Sequence, residues 1–154
     1  MTGHEVRATQ TIPAPIERVW GVITDIDGAA DTLTGVTAIE RVDDGPYTVG
    51  TRWRETRKVL GKAETEEMWV AEVEPPLRTV VRSAGSDVDY VTTFTLSTDA
   101  AGTRVEMVFG ADTPEPSRAQ RMLWRTFGAL GRRVTQKMME RDLRDIASAA
   151  TAIG

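Results

Sequence analysis

The sequence contains no cysteine and only one histidine, His4, among its 154 residues. Without cysteine there are no disulfide bonds, no thiolate nucleophiles and no thiolate metal sites. A single histidine cannot form a multi-histidine metal centre, nor a catalytic triad that contains two histidines. We therefore expect no metal and no cofactor, and we expect His4, close to the N-terminus, to lie on the surface.

An excess of positive charge and long apolar runs are also absent. The formal net charge is −4, so the chain lacks the basic face that a nucleic-acid partner requires. The opening stretch "MTGHEVRATQ" has no basic-then-apolar order, and no apolar run approaches the roughly 20 residues of a membrane span. We expect a cytoplasmic protein with no nucleic-acid partner and no membrane span. Without a visible repeat or linker, residues 1–154 are predicted to form a single domain.

Hydrophobic periodicity predicts helices near both ends and strands between them. A helical face predicts a first helix at about 14–25, and a longer apolar stripe predicts a C-terminal helix over roughly 115–150. The first face is formed by Ile16, Val19, Trp20 and Ile23. The longer stripe is formed by Leu123, Phe127, Leu130, Val134, Met138, Leu143, Ile146 and Ala150.

A period of two predicts seven strands, and short turns between most of them require antiparallel neighbours. The predicted strands cover 4–12, 36–43, 47–59, 63–74, 77–84, 87–97 and 103–110. We therefore predict an α+β fold in which a curved, seven-stranded antiparallel sheet wraps around the long C-terminal helix. Space between such a sheet and helix is where a ligand would bind.

Four stretches carry a resemblance to a known family: "TIPAPIERVWGVITDID", "VGTRWRETR" followed by "LGK", "VEPPLRTV", and "FTLSTDAAGTRVEMVF". They resemble the polyketide cyclase/dehydrase and lipid-transport group of the START-like (Bet v 1-like, SRPBCC) superfamily, over about residues 4 to 150. The resemblance implies the helix-grip fold. Members of the group include carriers and sensors of apolar ligands and a few cyclases and hydratases, so the fold does not choose between these functions.

The stretch "GTRWRETRKVLGKAETEEMWV", residues 50–70, predicts a hairpin that turns at Gly61-Lys62. This turn pairs Arg57 with Glu66, Glu55 with Met68 and Trp53 with Val70, and cross-strand partners share a face. One face carries Trp53, Glu55, Arg57, Val59, Glu66, Met68 and Val70. The other carries Arg52, Arg54, Thr56, Lys58, Thr65, Glu67, Trp69 and Ala71. We predict that the first face points inward, because the second would bury several charges with too few partners. A slip of one residue would exchange the faces.

The same alternation elsewhere completes a set of candidate ligand-binding residues. They are Trp53, Glu55, Arg57, Glu66, Met68, Val70, Thr79, Val81, Tyr90, Thr92, Phe94, Met107, Phe109, Met122, Trp124 and Phe127. The loop "DIDGAADTLTG" and the start of the long helix, around Met122 and Trp124, are predicted to flank a cavity mouth, with the loop acting as a gate. The alternative is that these side chains fill the interior and leave no cavity.

Two classes of function remain open. A binding protein, monomer or homodimer, would hold a hydrophobic lipid-like or aromatic ligand, with Arg57 and Glu55 orienting its polar end. A cyclase or dehydratase would use a carboxylate, Glu55 or Glu66, as general base and Arg57 to stabilise an enolate oxygen. Charge pairs on strand faces are common without catalysis, which favours binding. An interaction protein of the same fold would need a large exposed apolar patch, and the sequence shows none.

Overall fold

A computed structural model of the chain describes residues 5–59, 61–84, 89–111 and 118–152, and over 118–130 it describes the backbone alone. His4 and the predicted stripe residues Leu123, Phe127 and Leu130 lie outside the described side chains. The elements are β1 (Val6–Ile12), α1 (Ile16–Ile23), α2 (Ala29–Thr32), β2 (Val36–Arg41), β3 (Arg52–Val59), β4 (Lys62–Glu74), β5 (Arg78–Ala84), β6 (Asp89–Asp99), β7 (Gly102–Ala111) and α3 (Arg118–Thr151).

The seven strands form one antiparallel sheet in the order β1-β7-β6-β5-β4-β3-β2. Strands adjacent in the chain pair with each other from β2 onward, and β1 closes the order by pairing with β7. Helix α3 packs against β1 and α1. The predicted α+β, helix-grip architecture is confirmed. In the part of the chain that the structure describes, no helix is long and apolar enough to cross a membrane.

The predicted strand at 47–59 is too long, because the chain turns before it reaches the sheet. Thr51 Oγ1 accepts a hydrogen bond from the Thr48 backbone N–H and donates one to the Pro46 carbonyl, at 3.0 Å each. Gly50 has a positive φ of 95°, a conformation that suits glycine. Strand β3 therefore begins only at Arg52. Alternation alone does not reveal such a turn.

The β3–β4 hairpin turns one residue earlier than predicted. Val59 pairs with Lys62, so the turn lies between these two residues, and Gly61 has a φ of 80°. The predicted partners are therefore wrong by two positions: Arg57 faces Glu64, Glu55 faces Glu66 and Trp53 faces Met68. A shift of two residues preserves the alternation of a strand, so every side chain keeps its predicted face.

The main core lies between β1, β6, β7, α1 and the second half of α3. Its buried side chains include Ile12, Val19, Leu96, Val105, Leu143 and Ile146. A second, smaller cluster joins Ile26, Trp53, Val70 and Val81 under the β2–β3 connection. An irregularity between Val70 and Glu72 in β4 lets Val73 also pack against this cluster. The two packed clusters therefore lie on either side of the cavity.

Candidate ligand-binding site

A cavity of about 200 Å³ lies between the concave face of the sheet and the helices. Helix α3 contributes Thr135, Met138, Met139, Asp142 and Ile146. Helices α1 and α2 and their connection contribute Val22, Ile23, Asp25, Ile26, Ala29, Thr32 and Leu33. The sheet and its loops contribute Tyr47, Trp53, Glu55, Arg57, Val59, Glu64, Glu66, Met68, Val81, Ser83, Thr92, Phe94, Met107 and Phe109.

One side of the cavity is formed by aromatic, methionine and aliphatic side chains, which we call the apolar wall. It consists of Phe94, Met107, Phe109, Met138, Met139 and Ile146. The sheet members belong to β6 and β7, and adjacent strands are spaced about 4.8 Å apart. The Tyr90 ring stacks on the Phe109 ring, with the centroids 5.1 Å apart, and so helps to fix its position. A flat or elongated apolar molecule would find complementary surface here.

The opposite side, which we call the acidic pole, is formed by Glu55, Arg57, Glu64, Glu66 and Asp142. The Arg57 guanidinium donates two hydrogen bonds to the Asp142 carboxylate, at 3.2 and 2.9 Å, and its Nε donates to Glu55 Oε2 at 2.8 Å. The bond to Asp142 joins β3 to helix α3 across the cavity. A bidentate arginine–carboxylate pair is among the stronger polar contacts in proteins.

Burial controls the electrostatics of this network. Burial raises the pKa of Asp142, whose residue is 4% exposed, while the Arg57 guanidinium opposes that rise. Burial alone would lower the pKa of Arg57, but the negative charges of Asp142 and Glu55 outweigh it and the net shift is upward. Arg57 is therefore a permanent cation, and the three charges depend on one another for compensation.

Glu55 and Glu66 are cross-strand neighbours with different surroundings. Both Glu55 oxygens accept hydrogen bonds, one from Arg57 and one from the Trp53 indole N–H at 3.4 Å. Glu66 forms no hydrogen bond and no ion pair with any other residue that the structure describes. Burial raises the pKa of Glu66, and the charge of Glu55 raises it further, against the attraction of Arg57. Among the described residues, Glu64 and Glu66 are thus the carboxyls of the pole with free hydrogen-bonding capacity, and of these two Glu66 is half-buried whereas Glu64 is exposed.

Gly35 provides the space in which the network forms. A β-carbon at this position would come within 3.2 Å of Arg57 Nη1 and would clash with Arg141 Nη2. Arg141 does not line the cavity, but its positive charge also acts to lower the pKa of Asp142. A residue without a side chain therefore lets two guanidinium groups approach the same carboxylate region.

The structure brings most of the predicted site residues together. Ten of them line the cavity: Trp53, Glu55, Arg57, Glu66, Met68, Val81, Thr92, Phe94, Met107 and Phe109. Three others do not line it. Val70 is fully buried in the second cluster, the Thr79 hydroxyl is bonded to the Tyr47 hydroxyl, and the half-buried Tyr90 stacks on Phe109.

Arg57 was expected to pair with either Glu66 or Glu55, and it pairs with Glu55 and with Asp142. The predicted residues Met122, Trp124 and Phe127 lie outside the described side chains. Residues of the loop 25–35 line the cavity, and its place at a cavity mouth stays a prediction. It is fastened to α3 by two hydrogen bonds of 2.9 Å from Thr34 to Asp145. Its opening as a gate stays a prediction.

Sequence reasoning missed Asp142 and Tyr47. Asp142 carried a detectable signal, because it lies four residues after Met138 and four before Ile146, inside the apolar stripe, where a charge is unexpected. Tyr47 carried none, since it reaches the cavity from an irregular loop. Its hydroxyl lies 2.8 Å from the Thr79 hydroxyl, and burial raises its pKa. Among the residues that the structure describes, no group of three acidic or histidine side chains is arranged to hold a metal ion.

Comparisons with known proteins agree with this architecture. The family model described as polyketide cyclase / dehydrase and lipid transport matches residues 3–151. The solved structure of TTHA0849 from Thermus thermophilus is similar, with a TM-score of 0.78, 25% identity, and coverage of 95% of this chain and 96% of the other. No curated protein matches the sequence.

Two aromatase/cyclases share the fold at lower identity. The ZhuI aromatase/cyclase from Streptomyces sp. R1128 has a TM-score of 0.75 and 20% identity, with coverage of 95% of this chain and 92% of that one. The di-domain ARO/CYC StfQ from the steffimycin biosynthetic pathway has a TM-score of 0.72 and 11% identity, with coverage of 95% and 50%. At these identities the likeness concerns the fold alone.

Proposed function

Because the chain belongs to the polyketide cyclase / dehydrase and lipid transport family, we propose that it binds one small hydrophobic molecule, aromatic or lipid-like, in the cavity between the sheet and helix α3. The apolar wall packs against the body of the ligand. The acidic pole contacts its polar end. That the protein works as a monomer or a homodimer stays a prediction.

The observation that carries the proposal is the division of a single cavity into an apolar wall and a polar pole. A purely structural core would be packed to high density and would avoid unpaired polar groups. Here about 200 Å³ is left open, and Glu66 faces it without a partner among the described residues. For comparison, an engineered apolar cavity of about 150 Å³ binds benzene. The space suits a molecule with one or two rings.

A neutral fluorescent probe tests the proposal directly. The probe 6-propionyl-2-(dimethylamino)naphthalene has two fused rings and no N–H or O–H group, and its emission shifts to shorter wavelength when it leaves water. We expect saturable binding of one probe per chain, and native mass spectrometry of freshly purified protein should show whether a co-purified molecule already fills the site. Absence of saturable binding to ligand-free protein would contradict the proposal.

A pair of variants on β6 tells the cavity from surface binding. Thr92 is buried and lines the cavity, whereas Thr95, on the same strand, is exposed. Thr92→Phe should fill part of the space and weaken probe binding by about tenfold or more, as a loss of about 1.4 kcal/mol would. Thr95→Phe should leave it unchanged. Equal effects of both variants would place the probe outside the cavity.

A second candidate function is an enzyme in which Glu66 acts as general base. It is favoured by one observation: Glu66 faces the cavity with a raised pKa and no hydrogen-bond partner among the described residues. Arg57 is less suited to the oxyanion role expected from the sequence, because two carboxylates already neutralise it.

Proton abstraction can be measured without knowing the natural substrate. The methyl ketone 2-acetonaphthone exchanges its α-protons slowly in neutral D₂O, and NMR follows that exchange. An enzyme with Glu66 as base should accelerate it, and Glu66→Gln should remove the acceleration. If the probe binds but the exchange of the α-protons is not accelerated, the site binds a ligand without acting as a base, as the first proposal states.

A further inference from the structure

The charges that line the cavity are strongly unequal. Among the described lining residues, five are carboxylic acids and one, Arg57, is a base. The acids are Asp25, Glu55, Glu64, Glu66 and Asp142. Glu64 is exposed and Glu66 half-buried, so the acids extend from the protein interior towards solvent. A ligand that enters here meets a negative potential.

Arg57 cannot offset this potential for a bound anion. Three of its five N–H groups already bond to carboxylates, one to Glu55 and two to Asp142. The group of three therefore carries a net negative charge. A ligand carboxylate would find at most two free N–H groups on Arg57, beside the carboxylates of Glu55 and Asp142, and Glu66 lies opposite Glu55 on the neighbouring strand. Like charges brought close together repel more strongly in a partly buried site than in water.

The pole offers hydrogen-bond acceptors in excess of donors. An ionised carboxylate only accepts hydrogen bonds, and the described structure gives Glu66 no donor. Arg141, the other cation close to this region, lies behind Gly35 and does not line the cavity. A ligand that brings its own donor would satisfy Glu66, whereas a ligand that brings only acceptors would leave it unpaired.

We propose that the ligand carries a hydrogen-bond donor, an alcohol, phenol or amine, at the end that meets the acidic pole, and that the site rejects ligands ending in a carboxylate, such as free fatty acids. This rests on the proposed function, and it adds the chemical class of the ligand. It follows from the excess of acids that line the cavity, the hydrogen bonds that Arg57 already makes, and the carboxyl of Glu66 that has no partner among the described residues.

Three naphthalene compounds of similar size test the class at pH 7. They are 2-naphthalenemethanol, 2-naphthylmethylamine and 2-naphthoate, and isothermal titration calorimetry of the full chain measures their affinities. We expect the alcohol and the amine to bind at least about tenfold more tightly than the carboxylate, the ratio that follows from one unfavourable charge contact in a partly screened site. Equal affinities, or preference for 2-naphthoate, would overturn the proposal.

Matched variants on β4 assign the selectivity to the pole. Glu66 faces the cavity, and its neighbour Glu67 lies on the other face, paired with Arg52. Glu66→Gln should reduce the ratio of the amine's affinity to that of 2-naphthoate severalfold, and Glu67→Gln should leave this ratio unchanged. An equal change in both variants would overturn the assignment to Glu66. If Glu66→Gln fails to fold, the ranking of the three compounds on the unaltered protein still decides.

The neutral probe separates this proposal from the one on which it rests. If the neutral, donor-free probe binds but the three compounds show no preference for the donors, the cavity is a ligand site and the donor class is wrong. If the probe and all three compounds fail to bind ligand-free protein, the proposed function falls, and the inference falls with it.

Discussion

Both faces of the β3–β4 hairpin carry an arginine that pairs with a carboxylate of another element, but the two pairs differ in burial. On the outer face, Arg54 pairs with Glu40 at 2.6 Å, and their side chains are 53% and 69% exposed. On the inner face, Arg57 pairs with Asp142 at 2.9 Å, and the side chains are 19% and 6% exposed. The distances are similar, but the inner pair is buried and Arg57 bonds a second carboxylate, Glu55.

This difference shows that the contact distance of an ion pair does not measure its importance. In water, an exposed pair contributes about 0–1 kcal/mol, because solvent and salt screen it and two side chains lose freedom. A buried pair contributes little net stability against an apolar replacement, yet removing one partner is costly, since the other charge is left uncompensated. The inner pair should therefore be sensitive to truncation and the outer pair tolerant.

The largest expected effect is that of Arg57→Ala. It leaves Glu55 and Asp142 facing each other without a cation, and we expect a loss of about 3–5 kcal/mol in the free energy of unfolding. Urea denaturation at pH 7 measures it. The control is Arg54→Ala, which should change the same free energy by no more than about 0.5 kcal/mol. If Arg57 proves as dispensable as Arg54, the buried network does not exist in solution.

Double-mutant cycles sharpen the comparison to individual pairs. The cycle of Arg57→Met and Asp142→Asn should give a coupling free energy of about 1–3 kcal/mol, within the range found for residues in direct contact. The cycle of Arg54→Met and Glu40→Gln should give about 0.2–1 kcal/mol. In about 1 M NaCl the outer coupling should vanish and the inner should persist, because salt screens exposed charges much more than buried ones. Equal salt sensitivity would contradict the difference in burial.

The smallest expected effect is a stabilisation by Glu66→Gln that grows with pH. The pKa of Glu66 is raised in the folded chain above its usual 4.5, mainly by burial. The fold therefore favours the protonated carboxyl, so the contribution of Glu66 to stability is present below pH 4.5 and is lost as the pH rises through the folded value.

Glutamine does not titrate, so the variant escapes this loss. Thermal melting from pH 4 to pH 7 should show the melting temperature of Glu66→Gln rising relative to the unaltered protein. Glu67→Gln, on the outer face, should show no such rise. A difference that shrinks as the pH increases would mean that Glu66 is more stable ionised than protonated in the fold.

On β3 and β4, the alternation of polar and apolar residues, together with the cost of burying unpaired charges, was enough to predict which face points inward. It placed Trp53, Glu55, Arg57 and Met68 against the cavity even though the predicted hairpin register was wrong by two residues. Faces depend on parity, and a shift of two preserves parity. The partner of each residue depends on the turn itself, and here the turn lies between Val59 and Lys62.

What the sequence could not supply is the pairing between distant elements. Asp142 lies 85 residues from Arg57, on another element, and no local pattern connects the two. The acid was visible as an interruption of the apolar stripe, but its partner follows only from how helix α3 crosses the sheet. Tyr47 depends in the same way on the path of an irregular loop. Contacts set by tertiary packing are the part that periodicity does not encode.

The most direct test is whether the Arg57 side chain is buried, hydrogen-bonded and close to a bound ligand in solution. NMR of the arginine Nε–H groups, assigned by loss of a signal in Arg57→Lys and Arg54→Lys, compares their exchange with solvent. Arg57 Nε–H is bonded to Glu55 inside the cavity, so we expect it to exchange much more slowly than that of Arg54 and to shift when 2-naphthalenemethanol is added. Equal exchange rates, or no shift on saturation with a ligand that calorimetry shows to bind, would contradict a buried network at the polar end of a ligand site.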